Sequence, residues 1–367
     1  MSYPGDSVDA TNRALLAVAE DTVTGFHARP FAVIAERCAL PEAEVIGRLQ
    51  AMLAAGTIRR VRQTLLSTSL ADGALVAWRV PADRLQAAYD WLVAHDPFTG
   101  HVVLRNSDNP NAPGADYCLW TTLKVPGGCN TVTAHCRLLA EKVGARDFVP
   151  LPVVGMFVLA VGHIRRAGLQ PGDKLPVPPA MQRPAVPQLS EQEWRVLLAL
   201  KESLRPEEFT THTWAARAEQ LGMSEEAFCA MAHELDRKRV IGRFATFLEH
   251  RAPRGKQAPG TGAAGLLHWA VPPGMEERAG AECGRHLCMT HCYWRSGGAA
   301  FGGAQIMGVV HAKDRDGVLA HKAAIDAHLA ACGIPVLHTA VFWSYRSEIR
   351  PSEISPLRYR KWLAEMI

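Results

Sequence analysis

The chain contains two versions of one pattern, and that duplication restricts its fold more than any other feature. Leu169 to Gln188 carries Pro171, Gly172, Pro176, Pro178, Pro179, Pro184 and Pro187. Proline at this density removes backbone donors and blocks helix, so the stretch reads as an extended linker. It divides the 367 residues almost in half, and a chain split this way invites a search for a repeat.

Each half opens with three apolar-periodic segments. In the first they are Arg13 to Glu20, Pro30 to Arg37 and Glu42 to Ala55, with Gly56 ending the third. In the second they are Trp194 to Leu200, Thr213 to Gln220 and Glu225 to Arg239, with Ser224 placed as an N-cap. A β-rich segment follows each set, Thr57 to Arg62 and Val240 to Leu248. Three helices and a β-wing spell a winged helix-turn-helix.

Both halves then alternate strand, helix, strand, strand, helix, strand. The predicted strands are Leu75 to Val80, His101 to Arg105, Cys118 to Val125 and Val154 to Val161. Their counterparts are Leu267 to Val271, His291 to Arg295, Gln305 to His311 and Val336 to Ser344. The helices between them are Ala82 to Ala94 and Thr131 to Val143, then Gly274 to Cys288 and Asp316 to Cys332. The expected fold is α+β: two tandem repeats, each a winged helix-turn-helix followed by a ferredoxin-like βαββαβ sandwich. The expected divisions are 10–62 and 63–168, a linker at 169–188, then 189–245, 246–350 and a C-terminal tail at 351–367. Arg251 to Gly265, rich in Gly and Pro, is an insertion in the second copy that reads as a mobile loop.

Composition narrows the functional classes. A net charge of +4 is too small to impose nucleic-acid binding. No apolar stretch is long enough to cross a bilayer, and the N-terminal residues lack the pattern of a secretory signal. The nine cysteines are scattered without a C-x-x-C pair, which fits a reducing cytoplasm better than a disulfide framework. Cys288-Met-Thr-His291-Cys292 lacks a second ligand pair at zinc spacing, so no metal is expected there. The candidate recognition helices open Pro41-Glu42-Ala43-Glu44 and Ser224-Glu225-Glu226. Carboxylates at that end repel phosphate, and DNA binding is disfavoured.

One polar pattern recurs. His101-Val-Val-Leu-Arg105 in the first half matches His291-Cys-Tyr-Trp-Arg295 in the second. Trp78 precedes His101 by 23 positions and Trp269 precedes His291 by 22. Residues four apart on a strand share a face, so each His and Arg can line one wall. Arginine offers a fixed fork to carboxylates, and histidine moves protons near neutral pH. A single H-x-x-x-R would be read as a strand-edge histidine beside a solvated arginine. Its return in two diverged halves favours a site for a polycarboxylate that is held and then protonated. Arg60 and Arg243 also repeat, at the junction after each wing, where a carboxylate contact and a surface salt bridge are both open. His311 and His338, and His163, Arg165 and Arg166, stand where they could line a pocket. Trp78 and Trp269 read as core.

Arg29-Pro30-Phe31-Ala32-Val33-Ile34-Ala35, Ile58-Arg59-Arg60, Leu119-Trp120-Thr121-Thr122-Leu123 and Thr290-His291-Cys292-Tyr293-Trp294-Arg295 resemble the sirohaem decarboxylases. These are relatives of the Lrp/AsnC proteins that act as paired subunits or as fusions of two. The resemblance spans roughly residues 10 to 165 and 190 to 350. It implies a carboxy-lyase of the haem and haem d1 routes that converts acetate side chains of sirohaem to methyl groups. No cofactor is implied beyond the iron of the bound tetrapyrrole. It places His291 and His101 as acid–base groups and sets Arg295, Arg105, Arg60 and Arg243 on substrate carboxylates, and His311 joins them as a pocket residue. Ser296-Gly-Gly-Ala-Ala-Phe-Gly-Gly303 departs from the family pattern, as do the apolar middle of His101 to Arg105 and the segment Val161 to Arg166. The partner expected is a sirohaem-like tetrapyrrole, with a homodimer as the expected assembly. A ligand-sensing Lrp/AsnC-type regulator and a non-catalytic tetrapyrrole carrier are the alternatives.

Overall fold

The structure, a computed structural model, describes residues 3–66, 70–159, 168–183, 187–248 and 262–366. The first half contains α1 (Ala10–Ala19), β1 (Val23–Thr24), α2 (Pro30–Cys38), α3 (Glu42–Ala54), β2 (Ile58–Leu65) and β3 (Ala71–Arg79). It continues with α4 (Leu85–His95), β4 (Thr99–Asn106), β5 (Leu119–Pro126), α5 (Val132–Val143) and β6 (Asp147–Leu159). The second half contains α6 (Glu191–Lys201), α7 (Ala215–Gln220), α8 (Glu225–Arg237), β7 (Ile241–Leu248), β8 (Ala263–Ala270) and α9 (Glu276–Gly284). After these come β9 (Met289–Arg295), β10 (Ile306–Ala312), α10 (Arg315–Ala331), β11 (His338–Ile349) and α11 (Pro356–Met366). The protein is a mixed α+β chain with helix-turn-helix elements.

These elements group by kind rather than by half. Among the described residues, one compact unit holds 3–66 and 187–248, and the other holds 70–159, 168–183 and 262–366. In the first unit the two wing strands pair with each other, giving a three-stranded sheet of order β1-β7-β2. Its core is aromatic: Phe31 stacks on Phe209 and meets Phe244 edge-on, and Trp214 packs on Phe26 and Phe228. Local signals set the helix ends. Ser190 and Glu193 form a capping box on α6, and Ser224 Oγ accepts from Ala227 N–H at the start of α8.

The second unit corrects one expectation: the two sheets are not separate sandwiches. They join into a closed eight-stranded barrel of order β10-β8-β11-β4-β5-β3-β6-β9. Each copy contributes its strands in the order second, third, first, fourth, and every pairing is antiparallel. The fourth strand of each copy closes the ring. β6 pairs β3 through Asp147 to Pro152 and then β9 of the other copy through Val153 to Leu159. β11 does the same, pairing β8 through His338 to Trp343 and β4 through Trp343 to Ile349. This double duty is why β6 begins before the expected Val154 and β11 runs past the expected Ser344.

Alternation sorts the side chains. Val102 and Leu104 face the helices with Leu92, Leu139 and Tyr359. Val103, between them, joins Trp120, Leu151, Leu266, Met307 and Phe342 in a cluster drawn from strands all round the barrel. That cluster is the interior. Phe301 seals part of it, fully buried against Trp120 and Tyr117. Phe301 sits in a short 3-10 turn, Gly298–Phe301, within the segment that departs from the family pattern. Gly302 follows at φ +64, and a Cβ there would stand 2.6 Å from the His338 ring. Residues 351–367, expected as a tail, include α11, whose Tyr359 and Trp362 pack on Phe98 and His135. Much of the Gly- and Pro-rich insertion, with His163, Arg165 and Arg166, lies outside the described residues.

Phe301→Ala should cost about 3–5 kcal/mol of unfolding free energy, read from chemical denaturation. Leu337→Ala, at a side chain 65% exposed, should change it by less than about 0.5 kcal/mol.

A candidate anion site inside the barrel

The outward set on β4 leaves His101, Val103 and Arg105 facing inward. On β9, Cys292 packs outward, so His291, Tyr293 and Arg295 face inward. On β10, Ile306 and Val310 pack outward, which turns His311 in. On β5, Leu119 and Leu123 pack outward while Trp120 points inward, so Lys124 does as well.

The strand registers relate these residues by the repeat. Trp78 faces Leu119 as Trp269 faces Ile306, and His101 faces Thr122 as His291 faces Val309. Lys124 therefore stands in the first copy where His311 stands in the second. Six inward groups form three equivalent pairs: His101 with His291, Arg105 with Arg295, and Lys124 with His311. Barrel closure brings both H-x-x-x-R pairs into one interior.

Burial divides the six. Arg105 is 5% exposed and Arg295 is 7% exposed, while the three histidines and Lys124 are only partly covered. Arg105 lies over Trp120, 5.5 Å from its ring centre, and Arg295 over Tyr293 at 4.5 Å. Arg295 Nη1 donates to the Leu151 carbonyl at 2.8 Å. Arg105 Nε and Nη1 and Arg295 Nε are buried without a hydrogen-bond partner, and among the described residues no carboxylate pairs with either guanidinium. A buried charge left in this way costs several kcal/mol. The site is short of anions.

The same imbalance shifts the titrating groups. Burial first, then Arg105, His291 and His311, lower His101 to about 3, so it is neutral in the empty protein. Burial, with Arg295 opposing and Asp72 favouring the charge, lowers Lys124 to about 7. Burial and then Arg295 press Arg105 down to about 9, still ionised at neutral pH. His101 Nε2 lies 2.8 Å from the Ser347 hydroxyl of β11. His291 Nδ1 lies 3.1 Å from Thr290 Oγ1, and that hydroxyl donates to the Val309 carbonyl. The hydroxyl's proton is thus committed, so His291 donates to it through Nδ1–H.

Arg60 and Arg243 lie in the other unit, in a cluster of their own. Arg60 and Arg62 both cover Phe247, at 4.8 and 5.3 Å. Burial, then Arg62 and Arg59, lower Arg60 to about 10, and Arg243 adds to the field on Arg62. Lys124 and Arg62 are residues that motif reading missed. For Lys124 the available signal was its alignment with His311. His338 stands beside His268, ring centres 5.5 Å apart, and burial first lowers His268 to about 3.

The class is therefore a two-copy α+β protein with helix-turn-helix elements and a cation-lined interior. A family model for the siroheme decarboxylase NirDL-like HTH domain matches residues 26–59. The chain is 25% identical over 268 residues to a siroheme decarboxylase of Hydrogenobacter thermophilus, covering 73% of each protein. It is 27% identical over 294 residues to a siroheme decarboxylase NirDL subunit of Paracoccus pantotrophus, covering 78% of this chain and 80% of that one. In fold it is similar to the crystal structure of the siroheme decarboxylase NirDL in co-complex with an iron-uroporphyrin III analogue. The TM-score is 0.67 at 19% identity, over 97% of this chain and 100% of that one. These similarities agree with the resemblance to the sirohaem decarboxylases that the sequence carries.

A bound polycarboxylate reverses the Coulomb balance and raises the pKa values of His101 and Lys124. Binding should then take up protons near pH 7, and affinity should fall as pH rises from about 7 to about 9, by at most about tenfold per unit for each proton. Calorimetry in buffers of different ionisation enthalpy reads this directly. Binding without proton uptake would count against the assignment.

Proposed function

We propose that the chain is a sirohaem decarboxylase, a lyase that removes carboxylates from the acetate side chains of sirohaem or a closely related tetrapyrrole in haem or haem d1 synthesis. The observation that carries this reading is the pair of buried, carboxylate-free guanidiniums beside two histidines in one interior. A polycarboxylate ligand supplies the anions this interior lacks. The relatives named above are siroheme decarboxylases, and the similar crystal structure holds an iron-uroporphyrin III analogue.

In this reading Arg105 and Arg295 grip carboxylates that stay on the ring, and Lys124 and His311 flank them. The reacting acetate loses carbon dioxide as its C–C bond breaks. The electron pair passes into the macrocycle, and His291 or His101 returns a proton to the same carbon, leaving a methyl group. His101 is neutral in the empty protein and is charged by the arriving anions, so its proton is delivered with the substrate. No cofactor beyond the tetrapyrrole's own iron is used.

The finer architecture belongs to the same reading: two repeats of a winged helix-turn-helix and a ferredoxin-like sheet, with the two sheets merged into the barrel that serves as the enzyme body. The cytoplasm is the expected location and a homodimer the expected assembly. No helix of the described residues is long and apolar enough to cross a membrane. A regulator is disfavoured because Arg48, the cation of the first candidate recognition helix, is largely covered and held by Glu44 at 2.8 Å and Asp9 at 3.1 Å.

Anaerobic incubation with sirohaem should yield products lighter by one and then two carbon dioxide masses, and His291→Ala should slow this by roughly 100-fold or more. Tetrapyrrole bound but recovered intact would mark a carrier. A salt-dependent shift of DNA, without turnover, would mark a regulator.

A further inference from the structure

Away from the barrel interior, the C-terminal ends of α9 and α10 and the residues just after them place two pairs side by side: Glu282 with His286, and His328 with Cys332. Glu282 Oε2 lies 2.7 Å from His328 Nε2, and Cys332 Sγ lies 3.7 Å from that same nitrogen. The ligand atoms of Glu282, His328 and Cys332 all fall within 4.8 Å of one another. His286 is 2% exposed with neither ring nitrogen hydrogen-bonded, and its ring centre lies 5.1 Å from that of His328. A buried imidazole without a partner requires an explanation. It stands beside the His328 imidazole and in the field of the Glu282 carboxylate.

We propose that Glu282, His286, His328 and Cys332 form a structural zinc site that ties α9 to α10. The donor set suits zinc, a borderline-soft ion that takes nitrogen, sulfur and oxygen ligands in tetrahedral sites. Bond lengths of about 2.0 Å to nitrogen and oxygen and 2.3 Å to sulfur put tetrahedral ligands about 3.3–3.5 Å apart. The 2.7 Å Glu282–His328 and 3.7 Å His328–Cys332 spacings lie on either side of this range. Zinc with one carboxylate, one thiolate and two neutral imidazoles carries no net charge, so the half-buried site bears no unbalanced ion.

Lys174 Nζ sits 3.1 Å from His328 Nδ1, the ring nitrogen opposite the one that meets Glu282. Binding at Nε2 moves the imidazole proton to Nδ1 and releases Lys174 to solvent. Lys174 is therefore no ligand, and removing it should not weaken binding. The proposal is independent of the decarboxylase reading, since none of these residues belongs to the barrel interior.

The test uses the full chain, stripped with a chelator and then loaded with zinc or cobalt. Cobalt should give a thiolate charge-transfer band in the near ultraviolet. The band should be lost in Cys332→Ala and survive in Lys174→Ala and in the His101→Ala/His291→Ala double variant. Affinity should fall about tenfold or more in His328→Ala and in His286→Ala. Because a variant can misfold, the wild type carries its own readout: zinc should protect Cys332 from alkylation while leaving Cys38, a residue of the other unit, as reactive as before. A wild-type protein with no cobalt–thiolate band and no zinc protection of Cys332 overturns the proposal. So does a band that persists in Cys332→Ala.

Discussion

A four-stranded antiparallel sheet standing alone has two open edges, and unpaired edge strands must be covered or paired. Here each copy covers the other's edges. β6 and β11 are each long enough to finish their own sheet and then cross to the neighbour's second strand. Closure turns the inner faces of both sheets toward one space. Val103 then meets Leu266 and Phe342 across the barrel, and the charged residues at inward positions converge as well. A one-residue slip in either junction would turn His101 and Arg105, or His291 and Arg295, toward the helices. The site depends on that register.

The convergence is electrostatically unfavourable in the empty protein, and that is informative. A chain selected for stability alone would not bury Arg105 and Arg295 without carboxylates, nor hold Lys124 and His101 beside them. Stability given up at one place usually marks function there. The hydrophobic remainder offsets it: Trp120, Phe301, Phe342 and Leu151 fill the rest of the interior, and the two helix layers bury Trp78 and Trp269 completely. Chemistry and stability thus occupy the same barrel at different inward positions.

Much of this was legible in the residues. The repeat, the order of elements and the shared face of His101 and Arg105 follow from spacing alone, because local periodicity carries them. What spacing does not carry is pairing between the copies. β2 with β7, β6 with β9 and β11 with β4 join residues far apart in sequence, and no local pattern specifies such a partner. That is why two separate sandwiches were expected where one barrel stands. Lys124 escaped notice because a lone lysine on a strand reads as solvated; its equivalence to His311 appears only once the registers align the two copies. The C-terminal segment was expected as a tail, yet Tyr359 and Trp362 suffice to dock α11 on the first copy's core.

Stoichiometry tests the central claim, that two copies build one anion site, most directly. Spectral titration with an iron tetrapyrrole polycarboxylate should saturate at one molecule per chain, and Arg105→Met and Arg295→Met should each weaken that same binding event. Saturation at two molecules per chain, with each substitution removing only one of them, would contradict the shared interior.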